Sequence, residues 1–532
     1  MRPITEIAGE LGLDTTMIEP YGYYKAKLNS LPASKKQGKL ILVTSISPTK
    51  QGNGKTVTTI SLAMGLRKLG KSVIAALREP SLGPNFGMKG GAAGGGKAIL
   101  EPVDDINLHF TGDFHAITAA NNMLVALAEN YRFIHQGKPE GLKTITLKRC
   151  LDVNDRSLRQ INTGLGGSAN GTPLETGFVI TPASDLMAVF CLSKDLKDLQ
   201  KRIGRMIVGY AYNGEAVTTD KLGVTGAMVA LLKDAFKPNL VQTAEGGAAL
   251  VHGGPFANIA HGCNSLVATQ AALRLADFTI TEAGFGSDLG AEKFFNIKCR
   301  TAGLNPALSV LVVTIPALKL QGKAQGNETV AGGLWNLERH IHILQSFNQR
   351  VLVTLNQHPG DTPDEIAELE VFCNEQKVAF ASHRGYTAGG EGTLQLAEKV
   401  FEISEMPERP LRFTYGLDDS FQNKIHKIAT TIYGAGRVSF SAKAQKQIEK
   451  NENLLNDMAV CMAKTQYSFT DQADQPGIQT GFTLHVDNMY LNTGAGFVVV
   501  QCGDIMLMPG LPKEPQAKQI QVIDDRISGI KS

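Results

Sequence analysis

One stretch near the start of the chain constrains the fold more than any other. Residues 40–47 are apolar and partly β-branched (LILVTSIS), residues 48–56 form a glycine-containing loop (PTKQGNGKT), and residues 57–69 show the apolar spacing of a helix. The pattern predicts a buried strand, a tight loop and a helix in direct succession. Because a helix N-terminus carries unpaired backbone N–H groups and a partial positive charge, this unit predicts a pocket for phosphate groups.

The loop resembles the phosphate-binding pattern K-x-G-x-G-K-T more than the stricter G-x-x-x-x-G-K-[ST], because Thr49 occupies the position of the first glycine. Gly52 and Gly54 allow the backbone to curl around an anion. Lys55 is placed to bridge terminal phosphates, and the Thr56 hydroxyl is a candidate Mg²⁺ ligand. A glycine-rich turn that binds nothing is the alternative. The predicted nucleotide-binding residues are Thr49, Lys50, Gln51, Gly52, Asn53, Gly54, Lys55 and Thr56.

Composition narrows the class of protein. A chain of 532 residues exceeds one compact core, so several domains are expected. The 53 Lys and Arg residues nearly balance the 50 Asp and Glu residues, and no basic stripe with interleaved aromatic residues occurs, so we expect no nucleic-acid partner. The sequence shows neither a signal-like start nor an apolar run of membrane-spanning length, and its 7 cysteines are widely spaced. We therefore expect a cytoplasmic protein with reduced thiols and no membrane partner.

Strand-like and helix-like segments alternate along most of the chain. The alternation predicts an α/β fold with a P-loop NTPase-like, doubly wound parallel sheet, in which each strand is followed by a helix. The predicted strands are residues 40–46, 72–77, 239–242, 278–281, 309–315, 350–355 and 378–381.

Two regions depart from this alternation and are predicted as separate α+β units. In the first, a helix is expected from Asp152 to Gly164, and in the second a helix is expected over residues 452–464. The resulting division is a first part of the nucleotide-binding domain at 1–142, a small α+β insertion at 143–224, the continuing α/β nucleotide and substrate domain at 225–436, and a C-terminal α+β domain at 437–532.

A second candidate site segment follows the strand at residues 72–77. Arg78 and Glu79 come directly after this strand, and ligands in open α/β sheets bind beyond the carboxyl ends of strands. Both side chains are therefore expected in the same crevice as the phosphate loop. Loops rich in Gly, His and acidic residues at 252–262 and 281–290 are predicted to line its rim, although either is also compatible with a structural turn.

Together these segments resemble the formate–tetrahydrofolate ligase family, in the family's order and over nearly the whole chain. The matching segments are the phosphate loop and residues 78–84, 90–96, 105–116, 154–156, 252–262, 281–300, 462–468 and 508–513. The resemblance implies that formate attacks the γ-phosphate of ATP to give formyl phosphate, and that N10 of tetrahydrofolate then takes the formyl group. It further implies ATP with Mg²⁺, tetrahydrofolate as a substrate, a monovalent cation as a further candidate and a homotetramer.

The resemblance also implies roles for three residues. Arg78 would hold formyl phosphate, and Glu79 beside it would orient groups at the reaction centre. Lys55 would neutralise charge on the transferred phosphoryl group. These three residues are the predicted catalytic set.

The folate side departs from the family pattern. His358 and Tyr386 stand where family members usually have Phe and Trp, which stack on the pterin ring, and Pro316 stands where an arginine is usual. One hypothesis keeps the stacking, so that Arg78, His358 and Tyr386 form the substrate-binding set.

Two other hypotheses remain. In one, the chain is a divergent paralogue that activates formate or another small carboxylate for a different acceptor. In the other, Lys50, a candidate second phosphate contact, indicates a P-loop switch ATPase that acts as a dimer. Formate-dependent ATP hydrolysis would separate a ligase from a switch.

Overall fold

The computed structural model describes residues 1–33, 37–50, 52–88, 93–477 and 480–530. Its strands are β1 Ile18–Pro20, β2 Ala26–Leu28, β3 Lys39–Ser45, β4 Val73–Leu77, β5 Gly94–Gly95, β6 Ala98–Glu101, β7 Leu142–Ile145, β8 Arg149–Leu151, β9 Ile161–Thr163, β10 Leu174–Thr176, β11 Phe178–Ile180, β12 Ile207–Ala211, β13 Ala216–Thr218, β14 Asn239–Thr243, β15 Ala248–Val251, β16 Phe278–Glu282, β17 Leu308–Val313, β18 Val351–Asn356, β19 Ala379–His383, β20 Arg437–Phe440, β21 Ala459–Ala463, β22 Thr483–Val486, β23 Asn488–Asn492, β24 Phe497–Gln501, β25 Gln521–Ile523 and β26 Arg526–Ser528.

The α-helices are α1 Ile4–Glu10, α2 Lys55–Lys68, α3 Leu82–Phe86, α4 Val103–Asn107, α5 Asp113–Ile134, α6 Asp185–Leu192, α7 Leu196–Gly204, α8 Thr219–Leu222, α9 Thr225–Leu232, α10 Leu266–Leu275, α11 Arg300–Ala302, α12 Ile315–Lys323, α13 Val330–Ser346, α14 Pro363–Glu375, α15 Gly385–Ala388, α16 Leu394–Ser404, α17 Phe421–Ile428 and α18 Ala442–Leu455. Within the described ranges, no helix is both long and apolar enough to cross a membrane.

A large, mainly parallel sheet organises the molecule. Its main path runs β1-β2-β14-β15-β4-β16-β3-β17-β18-β19, and the pairs from β15 to β19 are all parallel. In β3, Leu40 and Leu42 contribute to the core on one face, whereas Ile41 and Val43 contribute to the core on the other. The strand is buried on both faces, which explains its unbroken apolar sequence. The α/β class with a mainly parallel sheet is confirmed.

All seven predicted strands lie in this sheet, but the parallel prediction is wrong for one of them. β14 pairs antiparallel with β15, and Asn239 lies opposite Val251. The chain reverses at a turn in which the Thr243 N–H donates to the Gly247 carbonyl at 2.7 Å. Because β15 consists of only four residues (AALV), its sequence does not distinguish a strand from a helix.

Two helix predictions outside the sheet are also wrong. Residues 152–164 contain only the short 3₁₀ turn Arg156–Arg159, which buries no side chain, followed by β9. In the C-terminal region the helix ends at Leu455, and the following residues form β21, paired in parallel with β24. In both places strand pairing decided the structure: β9 pairs with β10, and the buried residues of β21 pair with β24.

Packing is continuous across the segments expected from sequence. One apolar core includes Leu337 of α13 together with Met462 of β21, on opposite sides of position 436. The described helices α2 and α16 cover one face of the sheet, and α13 and α14 pack in the core on the other. The phosphate loop therefore extends from a strand held rigidly from both sides.

Candidate functional site

The phosphate loop lies between the carboxyl end of β3 and the N-terminus of α2. Gly52 and Gly54 have φ angles of 84° and 80°. A Cβ atom on Gly54 would lie 2.2 Å from the Asn356 side-chain nitrogen, so this position requires glycine. Gln51 lies outside the described residues. The rest of the loop approaches the helix N-terminus as an anion-binding loop does.

Polar side chains stabilise the loop from within. Asn53 is buried, and its Nδ2 donates to the carbonyl oxygens of Ile46 and Ser47 at 3.1 and 3.3 Å. The Thr49 hydroxyl donates to the Gly52 carbonyl at 3.1 Å. Asn53 and Thr49 therefore stabilise the conformation of the loop backbone. They contribute to ligand binding through this backbone.

Three further residues of the loop segment are described: Lys50, Lys55 and Thr56. Lys50 is exposed at the tip of the loop. Lys55 Nζ donates to the Ser45 hydroxyl at 3.3 Å, and the Thr56 hydroxyl donates to Glu282 Oε2 at 2.9 Å. Lys55 and Thr56 thus lie at the start of α2, where phosphate groups would meet the helix N-terminus.

Glu282 connects the loop to Arg78. It is the last residue of β16, which lies between β3 and β4, and it is only 5% exposed. While Oε2 accepts from Thr56, Oε1 lies 3.8 Å from a terminal nitrogen of Arg78. One carboxylate therefore spans the gap between the phosphate loop and the segment after β4.

Arg78 retains hydrogen-bonding capacity for a ligand. Its Nη1 donates to the Pro255 carbonyl at 3.2 Å, and Nη1 would lie 3.3 Å from a Cβ atom on Gly284. Its Nε is buried and has no hydrogen-bond partner among the described residues. A guanidinium held in place at one end, with donors to spare, suits the oxygens of a phosphate or an acyl phosphate.

Glu79 occupies a different environment from its neighbour Arg78. Its backbone N–H donates to the Gly253 carbonyl at 2.8 Å, and its side chain is buried. Burial, and next the negative charge of Asp113, raise the pKa of Glu79 well above its usual value. Lys27, Glu79 and Asp113 form what we call the buried charge cluster. The cluster adjoins Arg78 through Glu79, the next residue in the chain.

The buried charge cluster is organised around Asp113. Lys27 Nζ lies 2.5 Å from Asp113 Oδ1, and both side chains are almost completely buried. Asn239 Nδ2 donates to Asp113 Oδ2 at 2.7 Å. Burial lowers the pKa of the nearby His252 to about 4, so His252 is neutral and adds no charge to the cluster. The cluster supports the backbone that carries Arg78.

Removing one partner of this ion pair is expected to destabilise the fold. In Lys27→Met the carboxylate of Asp113 would remain buried without its counter-ion, which typically costs about 3–5 kcal/mol. The first unfolding transition in urea measures this change. The control is Lys25→Met, which breaks the exposed Lys25–Asp105 pair and is expected to cost at most about 1 kcal/mol. Equal effects of the two substitutions would contradict a special role for the buried pair.

A buried histidine contacts the residue that precedes the phosphate loop. His340 of α13 lies 3.2 Å from the Ser47 hydroxyl through Nε2 and 2.7 Å from the Ser287 hydroxyl through Nδ1. Burial lowers the pKa of His340 to about 4, so the ring is neutral and can donate at one nitrogen and accept at the other. Asn336, one turn earlier, donates to the Ser47 hydroxyl at 3.0 Å. Helix α13 thereby ties the loop to the segment after Glu282.

His358 and Tyr386 follow the neighbouring strands β18 and β19 at the same edge of the sheet as the phosphate loop. His358 is exposed, and its backbone N–H donates to Asp361 Oδ2 at 2.8 Å. Tyr386 is 52% exposed. Among the described residues, the two rings make no ring contact with each other. Both residues lie beside the crevice, and their ring faces are accessible to a ligand.

The glycine-rich run reaches the same edge. Its residues 89–92 lie outside the described residues, whereas Gly94 and Gly95 pair with β6. A Cβ atom on Gly96 would lie 2.1 Å from the Tyr386 carbonyl oxygen, and the Lys97 N–H donates to that oxygen at 2.8 Å. The run therefore fixes the backbone of Tyr386.

The described part of the chain contains no cluster of three or more His, Cys, Asp or Glu side chains that could hold a metal ion. Thr56 and Glu282, 2.9 Å apart, offer oxygen atoms of the kind that Mg²⁺ prefers. Since Mg²⁺ is normally bound by one or two protein oxygens plus substrate phosphates, these two residues fit an ion that arrives with a nucleotide.

Of the site residues predicted from sequence, Lys55, Thr56 and Arg78 lie close together in the structure. The prediction did not include Glu282 as the residue that connects Thr56 and Arg78. Glu282 was expected only as part of a rim loop, although its position directly at a strand end was a usable signal. Asn336 and His340 lie in the middle of a helix and carried no signal, because their role depends on how α13 packs under the loop.

Comparison with known proteins agrees with this arrangement. Residues 1–531 match the family model for formate–tetrahydrofolate ligase. The chain is 51% identical to the formate–tetrahydrofolate ligase of Parabacteroides distasonis and 50% identical to that of Bacteroides fragilis, each over 100% of this chain and 98% of the relative. It is 48% identical to the enzyme of the same name from Staphylococcus epidermidis, over 99% of this chain and 96% of the relative. A match that covers nearly the whole chain at about this identity shows the family, and the chain belongs to the formate–tetrahydrofolate ligase family.

Proposed function

We propose that this chain ligates formate to tetrahydrofolate with consumption of ATP, giving 10-formyltetrahydrofolate, ADP and phosphate through a formyl phosphate intermediate. The observation that carries the proposal is the Glu282 carboxylate, which contacts both Thr56 of the phosphate loop and Arg78. In this proposal the nucleotide binds on the Thr56 side of the carboxylate, and the Arg78 guanidinium binds an oxyanion on the other side. Family membership over residues 1–531 supports the choice of substrates.

In the proposed first step, a formate oxygen attacks the γ-phosphorus of ATP and the bond to the β–γ bridging oxygen breaks. Such transfers depend mainly on positioning and charge neutralisation. Lys55 and the N–H groups at the start of α2 would bind the phosphate oxygens. Thr56 and Glu282 would hold Mg²⁺, which would supply further positive charge when bound. A monovalent cation belongs to the same proposal and is tested by exchanging K⁺ for Li⁺ in the assay.

In the proposed second step, Arg78 holds the mixed anhydride while the folate nitrogen attacks its carbonyl carbon and phosphate leaves. The guanidinium would bind the phosphate oxygens and neutralise the charge that grows on the leaving group. Glu79 acts as a positioning residue in this scheme. It adjoins Arg78 in the chain, and the buried charge cluster fixes the backbone there.

The folate ring would enter between the segments after β18 and β19. His358 and Tyr386 both lie at this edge, and both present rings that can stack on a pterin. Since imidazole and phenol rings are smaller than indole, stacking should be weaker than with the usual Phe and Trp.

Tyr386 provides a direct test of the folate side. Tyr386→Ala removes a stacking face worth about 0.5–1.5 kcal/mol and is expected to raise KM for tetrahydrofolate about 2- to 12-fold, with KM for ATP unchanged. Tyr386→Phe should retain most of the affinity. The control is Tyr212→Ala, which removes another exposed tyrosine. An unchanged KM for tetrahydrofolate in Tyr386→Ala would remove this residue from the folate site.

The experiment that tests the overall function measures ADP formation with formate, tetrahydrofolate, both or neither. The proposal predicts that ADP and 10-formyltetrahydrofolate form in equal amounts when both substrates are present. Formate-dependent ADP release without a formylated folate would favour the paralogue with another acceptor. ATP hydrolysis that depends on protein concentration and ignores formate would favour the switch ATPase.

We extend the proposal to architecture and assembly. The sheet is proposed to be a P-loop NTPase-like, doubly wound core, with the α+β insertion at residues 143–224 and the C-terminal α+β domain at residues 437–532. The active form is proposed to be a cytoplasmic homotetramer, as the resemblance implies. Sedimentation equilibrium at assay concentrations tests the assembly.

A further inference from the structure

A second cavity lies beside α10 and has a volume of about 720 Å³, within the range of small-molecule sites. Gln37 before β3 and Leu304 before β17 line it at the amino ends of these parallel strands, whereas Pro238 precedes the antiparallel strand β14 and lies toward their carboxyl ends. The cavity therefore extends along α10. The described residues that line it include no residue of the phosphate loop and neither Arg78 nor Glu282.

Positive charge dominates the polar part of this cavity. Lys194, Lys233, Lys237 and Arg274 line it, against the single acidic residue Asp195. Lys237 is already paired with Glu19 and Asp234 outside the lining, and Arg274 donates to a backbone carbonyl. Lys194 and Lys233 are exposed, and neither ammonium group forms an ion pair with a described residue. These two lysines are therefore available to an anion.

The only acid in the lining is directed elsewhere. Asp195 caps α7, and its side chain accepts from the Asp198 N–H at 2.8 Å. The negative charge of Asp195 is therefore directed at the N–H groups of α7, and it does not neutralise the lysines that line the cavity. The net field in the cavity is positive and favours an anionic group.

The rest of the wall is apolar. Leu28, Phe236, Val267 and Leu304 line it, and Leu196 adds a side chain that is 39% exposed. A cavity with an apolar wall and two unpaired ammonium groups at its border matches a ligand with an apolar body and an acidic head.

We propose that this cavity is a second ligand site, separate from the nucleotide crevice, which binds small organic anions with an aromatic or aliphatic body. Lys194 and Lys233 bind the acidic head, and the apolar wall binds the body. Binding there does not require the nucleotide crevice to be empty, because the described residues that line the two sites are different.

Two fluorescent probes that differ by one sulfonate group test the proposal. Anilinonaphthalene sulfonate carries an aromatic body and an anion, whereas N-phenyl-1-naphthylamine carries the same body without charge. We expect the anionic probe to bind the full-length protein in the presence of saturating ATP. Lys194→Glu combined with Lys233→Glu should raise its Kd by about tenfold or more and leave the Kd of the neutral probe unchanged.

The matched control is Lys443→Glu combined with Lys446→Glu, which makes the same change of charge on α18 and should leave both Kd values unchanged. Circular dichroism melting checks that each variant is folded, and the Lys194→Gln, Lys233→Gln pair serves if the charge reversal unfolds the chain. The proposal is overturned if the anionic probe does not bind the wild-type protein, as when a second copy covers the cavity. An unchanged Kd in the lysine variants, or displacement of the probe by ATP, would overturn it as well.

Discussion

Replacing Arg78 by alanine is expected to lower kcat for formate-dependent product formation by about 10²- to 10³-fold. The loss corresponds to removing one preorganised charge-stabilising donor from a site sheltered from water. Arg78 is fixed through the Pro255 carbonyl and lies 3.8 Å from Glu282, so alanine removes a guanidinium that is already positioned beside the phosphate loop. Initial rates at saturating ATP, formate and tetrahydrofolate measure the effect.

Two further variants sharpen that test. Arg78→Lys retains the charge but loses the planar fork, so it should recover only part of the rate. Arg205→Ala removes an exposed arginine elsewhere on the chain and should leave kcat unchanged. Near-normal turnover in Arg78→Ala would exclude Arg78 from the mechanism.

Replacing Glu282 by glutamine is expected to lower kcat by about 10²-fold and to raise the Mg²⁺ concentration needed for half-maximal activity. The substitution keeps the size of the side chain but removes the charge beside the Thr56 hydroxyl and Arg78. The loss of an oxygen ligand with full negative charge weakens the hold on a divalent cation. Titration of Mg²⁺ at fixed ATP separates this effect from a general loss of stability.

The matched control for Glu282 is Glu129→Gln. It neutralises a glutamate that forms a half-buried ion pair with Arg149 on α5 and β8, and it should change neither kcat nor the Mg²⁺ requirement. If Glu282→Gln were slow but kept the normal Mg²⁺ requirement, Glu282 would serve only to orient Arg78. The metal-binding part of the account would then fail.

Local patterns predicted the central strands of the sheet and the succession of β3, loop and α2 correctly, whereas phosphate binding by the loop stays a prediction. The apolar run before residue 48, the glycines of the loop and Lys55 all act through short stretches of backbone, and these are visible in sequence. β15 was missed because four apolar residues fit a strand or a helix equally well. The helices expected at residues 152–164 and 452–464 failed because tertiary pairing outweighed their local propensity.

The site illustrates the same limit at a finer scale. The segments carrying Arg78 and Thr56 were recognisable, but their connection through Glu282 depends on β16 lying between β3 and β4. His340 contacts both Ser47 and Ser287 only because α13 packs against the loop. Contacts between residues this far apart in the chain follow from the order of strands, which a single sequence does not specify.

Transfer of oxygen from formate to phosphate tests the central claim most directly. With ¹⁸O-labelled formate, ATP and tetrahydrofolate, the proposed acyl phosphate predicts that each phosphate released carries one oxygen atom from formate, in step with 10-formyltetrahydrofolate. The phosphate is expected to carry the label because the bond formed in the first step joins formate oxygen to phosphorus, and the second step breaks the bond between that oxygen and carbon. Unlabelled phosphate formed together with the formylated product would contradict the account.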